Sequence, residues 1–166
     1  MHLFLTGDRQ IGKSTAIKKA LEHTALHAGG FCTYWLQERE TLALKSYSKG
    51  NGQVVARRAN GHMQADAAAF NKTGVTLLAD AKCDVIVMDE CGFLEEDARL
   101  FRQAVLSKLD GDIPVLGVVR QRAGGWTEQI ICHPKVHLLH VTKENRDSVP
   151  DMILTWLEEE THGDDD

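Results

Sequence analysis

The chain has 166 residues, of which 43% are hydrophobic and 26% charged, and this length and composition predict a single globular domain over 1–166. A formal net charge of −5 gives no sign of a surface for nucleic acid or for an anionic membrane, so neither is an expected partner. Four widely spaced cysteines without a CxxC pair, and the absence of an apolar run long enough to span a bilayer, favour a cytoplasmic protein with reduced thiols.

The first informative stretch is a glycine-rich loop that follows an apolar strand pattern at 2–6 and precedes a helical pattern. This order is typical of a phosphate-binding P-loop, whose glycines let successive N–H groups turn toward an anion. We expect Lys13 to reach the β- and γ-phosphates and to neutralise charge there, and Ser14 to ligate Mg²⁺. The predicted phosphate-binding residues are Gly7, Asp8, Arg9, Gln10, Ile11, Gly12, Lys13, Ser14 and Thr15.

The next segments predict a helix followed by a β-meander. The helix is expected from Ser14 to about Ala28, with Gly29-Gly30 ending it. Residues 31–58 contain three short strand patterns separated by charged residues and a turn at 49–52, which predicts a meander that is at least partly antiparallel. An alanine-rich stretch predicts a second helix from about Gly74 to Ala81.

A second candidate site motif is the run 84–90, in which four apolar residues are followed by Asp89 and Glu90. A continuous apolar run that ends in acid is typical of a central parallel strand whose carboxyl end meets a site. We expect this strand to lie beside the P-loop strand, with Asp89 holding Mg²⁺ through a water and Glu90 polarising the attacking water. The alternative is a strand that ends in two solvated acids.

The remaining pattern predicts a helix over 95–110, a buried strand over 113–119, a last strand over 136–141 and a terminal helix with a capping box of Ser148 and Asp151. Arg120 follows the buried strand and is a candidate to stabilise charge on the γ-phosphate, although a loop arginine without ligand contact is an equal alternative. Further candidates for this role are Arg39, Arg57, Arg58 and Arg122. A zinc site at His133, His137 and His140 is not expected, because residues 137 and 140 point to opposite faces of a strand.

With these motifs together, nearly the whole chain resembles the small P-loop nucleoside-triphosphatase family that includes the cancer-related nucleoside-triphosphatase. The motifs that carry the resemblance are the P-loop, Gly30-Phe31-Cys32-Thr33 with Glu38-Arg39-Glu40, Asp89-Glu90-Cys91-Gly92, and 141–147. The chain differs from the family at Asp8-Arg9-Gln10, where Pro-Pro-Gly is frequent, and at Phe93, where a lysine is frequent.

The resemblance implies a Mg²⁺-dependent enzyme that slowly hydrolyses several nucleoside triphosphates, on a core similar to P-loop nucleotide kinases. It makes Asn145 and Arg146 candidates for contact with the base, and the alternative for Arg146 is a salt bridge to Glu144 or Asp147.

We therefore predict a three-layer α/β/α P-loop fold with a mainly parallel sheet and a partly antiparallel meander, and the hydrolysis of ATP, GTP, CTP and UTP. Two alternatives remain open at the level of sequence. One is a kinase that transfers the γ-phosphate to a small acceptor held by the meander, and the other is a nucleotide-dependent switch that recruits a protein.

Overall fold

The computed structural model describes residues 1–79 and 82–163, and in this part of the chain eight strands form one sheet. The elements are β1 (His2–Thr6), α1 (Lys13–Glu22), β2 (Ala28–Leu36), β3 (Thr41–Ser46), β4 (Gln53–Ala59), β5 (His62–Ala65), α2 (Ala67–Leu78), β6 (Val85–Cys91), α3 (Arg99–Asp110), β7 (Val115–Val119), α4 (Glu128–Ile131), β8 (Val136–His140) and α5 (Val149–His162).

The sheet has a parallel half and an antiparallel half. Its strand order is β5-β4-β3-β2-β6-β7-β1-β8. The strands from β2 to β8 in this order run parallel, whereas β3, β4 and β5 continue the sheet beyond β2 with antiparallel pairing. The predicted mainly parallel sheet with an antiparallel meander is therefore confirmed.

Alternating side chains of the parallel strands fill two separate apolar cores. Leu3 and Leu5 of β1 pack on the side of α1 and α5, in a cluster that includes Ile17 and Ile153. Phe4, which lies between them, points to the other side and packs in the cluster of α2, α3 and α4. Burial of each such side chain contributes about 1.5–3 kcal/mol. Because successive side chains of a strand point to opposite faces, each strand contributes this energy to the helical layers on both sides of the sheet. The predicted three layers are confirmed.

The expected adjacency of the two motif strands is wrong, because β7 lies between β1 and β6. The pairing register shows how the motifs still meet. Leu5 of β1 and Asp89 of β6 both pair with Val118 of β7, so they lie at the same level of the sheet. The site therefore spans three strands, about 10 Å across the sheet.

The first helix is shorter than predicted, because α1 ends at Glu22 and the two glycines expected to end it lie inside β2. Gly30 has a φ of +91°, and a Cβ at this position would overlap the backbone carbonyl of Val87 on β6. The lack of a Cβ at Gly30 therefore allows β2 to approach β6 closely.

Three further local predictions need correction. The second helix, α2, begins at Ala67 because the Asp66 carboxylate caps it by accepting from the Ala69 N–H at 3.0 Å, and Ala81 lies outside the described residues. Strand β5 was missed, although Asn60-Gly61, both with positive φ, is a strong hairpin signal. The capping box does not form, since the Ser148 hydroxyl donates to the Asn145 carbonyl at 2.8 Å.

We predict that Gly30→Ala lowers the free energy of unfolding by about 2–5 kcal/mol, from the strained φ together with the overlap against backbone. Gly125→Ala is the control, since a Cβ there meets neighbours at ordinary distances of 3.4 Å or more. Urea denaturation of both variants measures the effect. Equal stability of the two variants would contradict the close approach of β2 to β6.

Candidate functional site

The loop between β1 and α1 is shaped by two glycines with positive φ. Gly7 has a φ of +140°, and a Cβ on it would overlap the Val141 carbonyl beyond β8. Gly12 has a φ of +110° and precedes the first helical residue, while its carbonyl accepts from the Ala16 N–H at 2.9 Å. The loop thus leads into the N-terminus of α1, where free N–H groups and the helix dipole favour an anion.

Lys13 is the first residue of α1, and its ammonium group lies back over the loop. Nζ donates to the carbonyl oxygens of Gly7 at 2.9 Å and of Asp8 at 2.6 Å. Partial burial lowers the pKa of Lys13, and the charges of Glu90 and Asp89 oppose this shift. The cation is therefore held beside both acids of the second motif, at the mouth of the loop.

Ser14 and Asp89 meet across β7. The Ser14 hydroxyl donates to Oδ1 of Asp89 at 3.1 Å. Burial raises the pKa of Asp89 to about 6, although the Ser14 hydrogen bond and Lys13 lower it. A hydroxyl and a carboxylate at this separation are hard oxygen ligands beside a phosphate loop, which is the donor set that Mg²⁺ takes together with phosphate oxygens and waters. These residues fit a magnesium ion.

Glu90 faces the same cavity as Asp89 because the strand is irregular here. Asp89 pairs with Val118 and Cys91 with Val119, so Glu90 is an extra residue on β6 relative to β7. In a regular strand, two successive side chains would point to opposite faces, and a bulge re-aims one of them. The Glu90 carboxylate is 2.7 Å from Nε of Arg120, and both side chains are about 30% exposed, at 29% and 30%.

These groups line a cavity of about 460 Å³, which we call the phosphate cavity. A neighbouring cavity of about 380 Å³, the outer cavity, lies on the other side of the loop. The loop residues Gln10, Gly12 and Thr15 line both. The phosphate cavity is lined by Gly7, Arg9, Gln10, Gly12, Lys13, Ser14, Thr15, Thr33, Trp35, Arg39, Asp89, Glu90 and Arg120.

The structure separates the remaining sequence candidates. Arg146 lines the outer cavity, and its Nε is 3.9 Å from a carboxylate oxygen of Asp147. Asn145 lines neither of these two cavities. Its amide accepts from the Thr142 N–H at 2.8 Å and donates to the His140 carbonyl at 2.9 Å, so it holds the turn that presents Arg146.

Other candidates lie at the edges of the site. Ile11 is buried and lines the outer cavity, whereas the exposed Asp8 lines neither cavity and contributes its carbonyl to Lys13. Arg122 lies over the Phe93 ring, 5.1 Å from its centroid. Within 1–79 and 82–163 no group of three His, Cys, Asp or Glu could hold a metal ion, and no helix is long and apolar enough to cross a membrane.

Sequence reasoning missed four residues around the site. Thr33 and Trp35 line the phosphate cavity from β2, and the only signal in the sequence was their place near the end of a strand. Glu95 and Trp126 gave no signal. They hold the Gly92 peptide behind Glu90: the Glu95 carboxylate accepts from its N–H at 2.9 Å, and the indole of Trp126 donates to its carbonyl at 2.7 Å.

Comparison with known proteins gives consistent results. The family model described as NTPase matches residues 2–154. The chain is 27% identical to the nucleoside-triphosphatase THEP1 of Thermotoga maritima, over 95% of each chain. The crystal structure of THEP1 from Aquifex aeolicus is similar with a TM-score of 0.80 at 24% identity, covering 95% of this chain and 99% of that one. The solution structure of a human cancer-related nucleoside triphosphatase is similar with a TM-score of 0.79 at 28% identity, covering 95% and 97%.

The buried Glu95 gives a testable pH dependence. It is 4% exposed, and burial raises its pKa from an ordinary 4.5 to about 7. Because the folded protein holds this proton more tightly than the unfolded chain, the associated stability is complete below about 4.5 and is lost as the pH rises through about 7.

We predict that Glu95→Gln gains stability relative to wild type between pH 5 and pH 8, by on the order of 2 kcal/mol, since glutamine keeps an acceptor for Gly92 without the charge. Urea denaturation across this range measures the difference. The control is Glu159→Gln on the exposed side of α5, for which the difference should be constant. A constant difference for both variants would mean that Glu95 does not titrate there.

Proposed function

This chain belongs to the NTPase family, and from that membership we propose that it hydrolyses ATP, GTP, CTP and UTP slowly, with Mg²⁺, to diphosphate and phosphate. Hydrolysis of nucleoside triphosphates is the activity in the names of its relatives, and the chain is such a nucleoside-triphosphatase. The proposal adds to this general activity the four nucleotides, the metal and the slow rate. The free thiols of Cys32, Cys91 and Cys132 suit the cytoplasm, where triphosphates are abundant.

The observation that carries the proposal is the convergence of both motifs on the phosphate cavity. Lys13 and Ser14 begin α1, which follows β1, whereas Asp89 and Glu90 lie on β6. These two strands are not adjacent, yet all four residues line one space beside a helix N-terminus. A cation, a hydroxyl and two carboxylates in that position match the requirements of phosphoryl transfer, which depends on positioning and on charge stabilisation.

Each residue has a distinct role in the proposed hydrolysis. Backbone N–H groups from Asp8 to Ser14 bind the phosphates, and Lys13 neutralises charge that develops between the β- and γ-phosphates. Ser14 and Asp89 are the residues that would hold Mg²⁺, Asp89 through a water. Bound there, the ion would supply positive charge that offsets the negative charge of the phosphates. Asp89 ionises more readily when a cation is near, which offsets the effect of its burial.

Glu90 positions the attacking water and accepts its proton. The bulge lets Glu90 line the phosphate cavity together with Lys13 and Ser14. Its 2.7 Å contact with Arg120 fixes the orientation of the carboxylate. The same contact occupies the guanidinium, so Arg120 gives the transition state less charge than a free arginine would. This shared ion pair is the basis for the slow turnover that we propose.

The nucleoside is proposed to occupy the outer cavity. That cavity adjoins the phosphate cavity at Thr15 and is lined by Lys19 and Arg146. Arg146 is 51% exposed and can stack on the face of any base, which favours neither purine nor pyrimidine. A broad choice of nucleotide follows from this kind of contact.

We predict that Lys13→Ala abolishes phosphate release from all four triphosphates and weakens their binding, because it removes the cation between the phosphates. Release of phosphate with Mg²⁺ and calorimetric binding of a non-hydrolysable triphosphate are the measurements. Lys18→Ala on the exposed face of α1 is the control and should retain both. Hydrolysis of one triphosphate alone by the wild type would contradict the proposed breadth.

We predict that Glu90→Gln lowers the hydrolysis rate at least about a hundredfold, the scale of a positioned base, while Mg²⁺-nucleotide binding is retained. Since the variant also releases Arg120, the double variant Glu90→Gln with Arg120→Ala is measured beside it and should remain equally slow. The exposed Glu128→Gln serves as a control. A wild-type rate in Glu90→Gln would show that another group positions the water.

A further inference from the structure

A third cavity, of about 290 Å³, opens from the phosphate cavity on the side of the antiparallel strands, and we call it the meander cavity. The two cavities share one wall, which includes Glu90 and Arg120. The far wall consists of residues that do not line the phosphate cavity: Leu42, Arg58, Met63, Gly92, Phe93, Leu94 and Glu95. The meander cavity therefore adjoins the phosphate cavity at Glu90 and Arg120 and extends from there toward β3, β4 and β5.

The charge of the meander cavity is opposite to that of the chain. Four guanidinium groups line it, from Arg9, Arg39, Arg58 and Arg120, against the two carboxylates of Glu90 and Glu95. The whole chain has a formal net charge of −5, so this concentration of positive charge is local. A space lined in this way favours an anionic occupant.

Among the described residues, two of these four arginines have an ion-pair partner and two have none. Arg120 pairs with Glu90, and Arg58 lies 3.6 Å from a carboxylate oxygen of Glu40. Within 1–79 and 82–163 no carboxylate forms an ion pair with Arg9 or Arg39. Unpaired guanidinium groups in a cavity are suited to bind phosphate in a bidentate manner.

The turn that carries Arg39 is held in an unusual conformation. Gln37, Glu38 and Arg39 have φ values of 50°, 52° and 73°, a left-handed region that residues with a Cβ rarely adopt. Hydrogen bonds secure the turn, from the Arg58 N–H to the Glu40 carbonyl at 2.8 Å and from the Arg58 guanidinium to the Arg39 carbonyl at 3.4 Å. Such local strain is typical of functional sites, and here it brings Arg39 to both cavities.

Apolar groups complete the meander cavity. Trp35 is 42% exposed and Phe93 is 36% exposed, and both line it. Leu42 and Met63 add aliphatic surface from β3 and β5. Large aromatic side chains left accessible at a charged cavity provide faces on which a planar group can stack. The occupant that suits this wall has a planar body as well as an anionic group.

We propose that the meander cavity binds a nucleoside 5′-monophosphate, whose phosphate oxygen accepts the γ-phosphoryl group in place of water. The proposal rests on the proposed function, since it uses the same bound and activated triphosphate. An acceptor oxygen forms a bond to the γ-phosphorus while the bond to the β,γ-bridging oxygen breaks, and that electron pair stays on the departing diphosphate. Charge is conserved, and the products are two nucleoside diphosphates.

The test uses GTP with a radioactive γ-phosphate and unlabelled AMP, CMP or UMP, so that the acceptor product differs from GDP. The wild type should place label in ADP, CDP or UDP as well as in phosphate. Arg58→Ala should lower the ratio of labelled diphosphate to labelled phosphate at least about tenfold. Arg58 lines the meander cavity and not the phosphate cavity, and its guanidinium also holds the turn that carries Arg39. Arg57→Ala, on the same strand but outside the meander cavity, should keep the wild-type ratio.

Calorimetry separates acceptor binding from catalysis. AMP, CMP and UMP are titrated into protein saturated with Mg²⁺ and a non-hydrolysable GTP analogue, and binding of at least one should weaken in Arg58→Ala and not in Arg57→Ala. Label in free phosphate alone, with no monophosphate binding, overturns the acceptor proposal and leaves hydrolysis intact. Label in neither product, with binding that still depends on Arg58, overturns the proposed hydrolysis and supports the meander cavity as a ligand site.

Discussion

The site depends on one contact, the hydrogen bond between the Ser14 hydroxyl and the Asp89 carboxylate across the end of β7. Ser14 lies at the start of α1, after β1, and Asp89 lies in β6. Strand β7 separates β1 from β6 in the sheet. Val118 of β7 sets their level, because it pairs with Leu5 on one side and with Asp89 on the other. A shift of one residue in either register would move Asp89 by about 3.3 Å along its strand and turn its side chain to the other face. The two apolar cores that the parallel strands fill therefore also fix the geometry of the proposed metal ligands.

The bulge at Glu90 brings a second acid into the phosphate cavity, whereas in a regular strand this side chain would point to the opposite face of the sheet. It leaves Asp89 to the ligand position beside Ser14 and sends Glu90 toward Arg120. The Gly92 peptide behind the bulge is held by the carboxylate of Glu95 and the indole of Trp126. Two neighbouring acids thus have separate environments, one buried against a hydroxyl and the other paired with a guanidinium. Such a division is what allows one carboxylate to hold a cation while the other handles a proton.

The sequence was sufficient for features whose signal is local. The glycine loop, the acidic end of β6 and the apolar alternation that builds three layers all follow from spacing, and the structure has them. It was insufficient where tertiary contacts decide. Gly30 is part of β2 because Val87 leaves no room for a Cβ, and the order of β1, β7 and β6 depends on long-range pairing. The bulge at Glu90 and the burial of Glu95 likewise depend on neighbours remote in the chain. Asn60-Gly61 and Asp66 are different, since their hairpin and capping signals were present in the sequence.

The site lies between the parallel and the antiparallel halves of the sheet, and this position has a chemical consequence. The outer cavity lies against α1 and the loop after β8, in the parallel half, whereas the meander cavity is walled by β3, β4 and β5. In the proposed binding mode, a triphosphate whose nucleoside occupies the outer cavity presents its terminal phosphate to the antiparallel half. Glu90 and Arg120 stand at that boundary and line both spaces. Under the acceptor proposal, the occupant of the meander cavity decides whether water or another nucleophile takes the phosphoryl group, because the groups that activate the triphosphate are the same in either reaction.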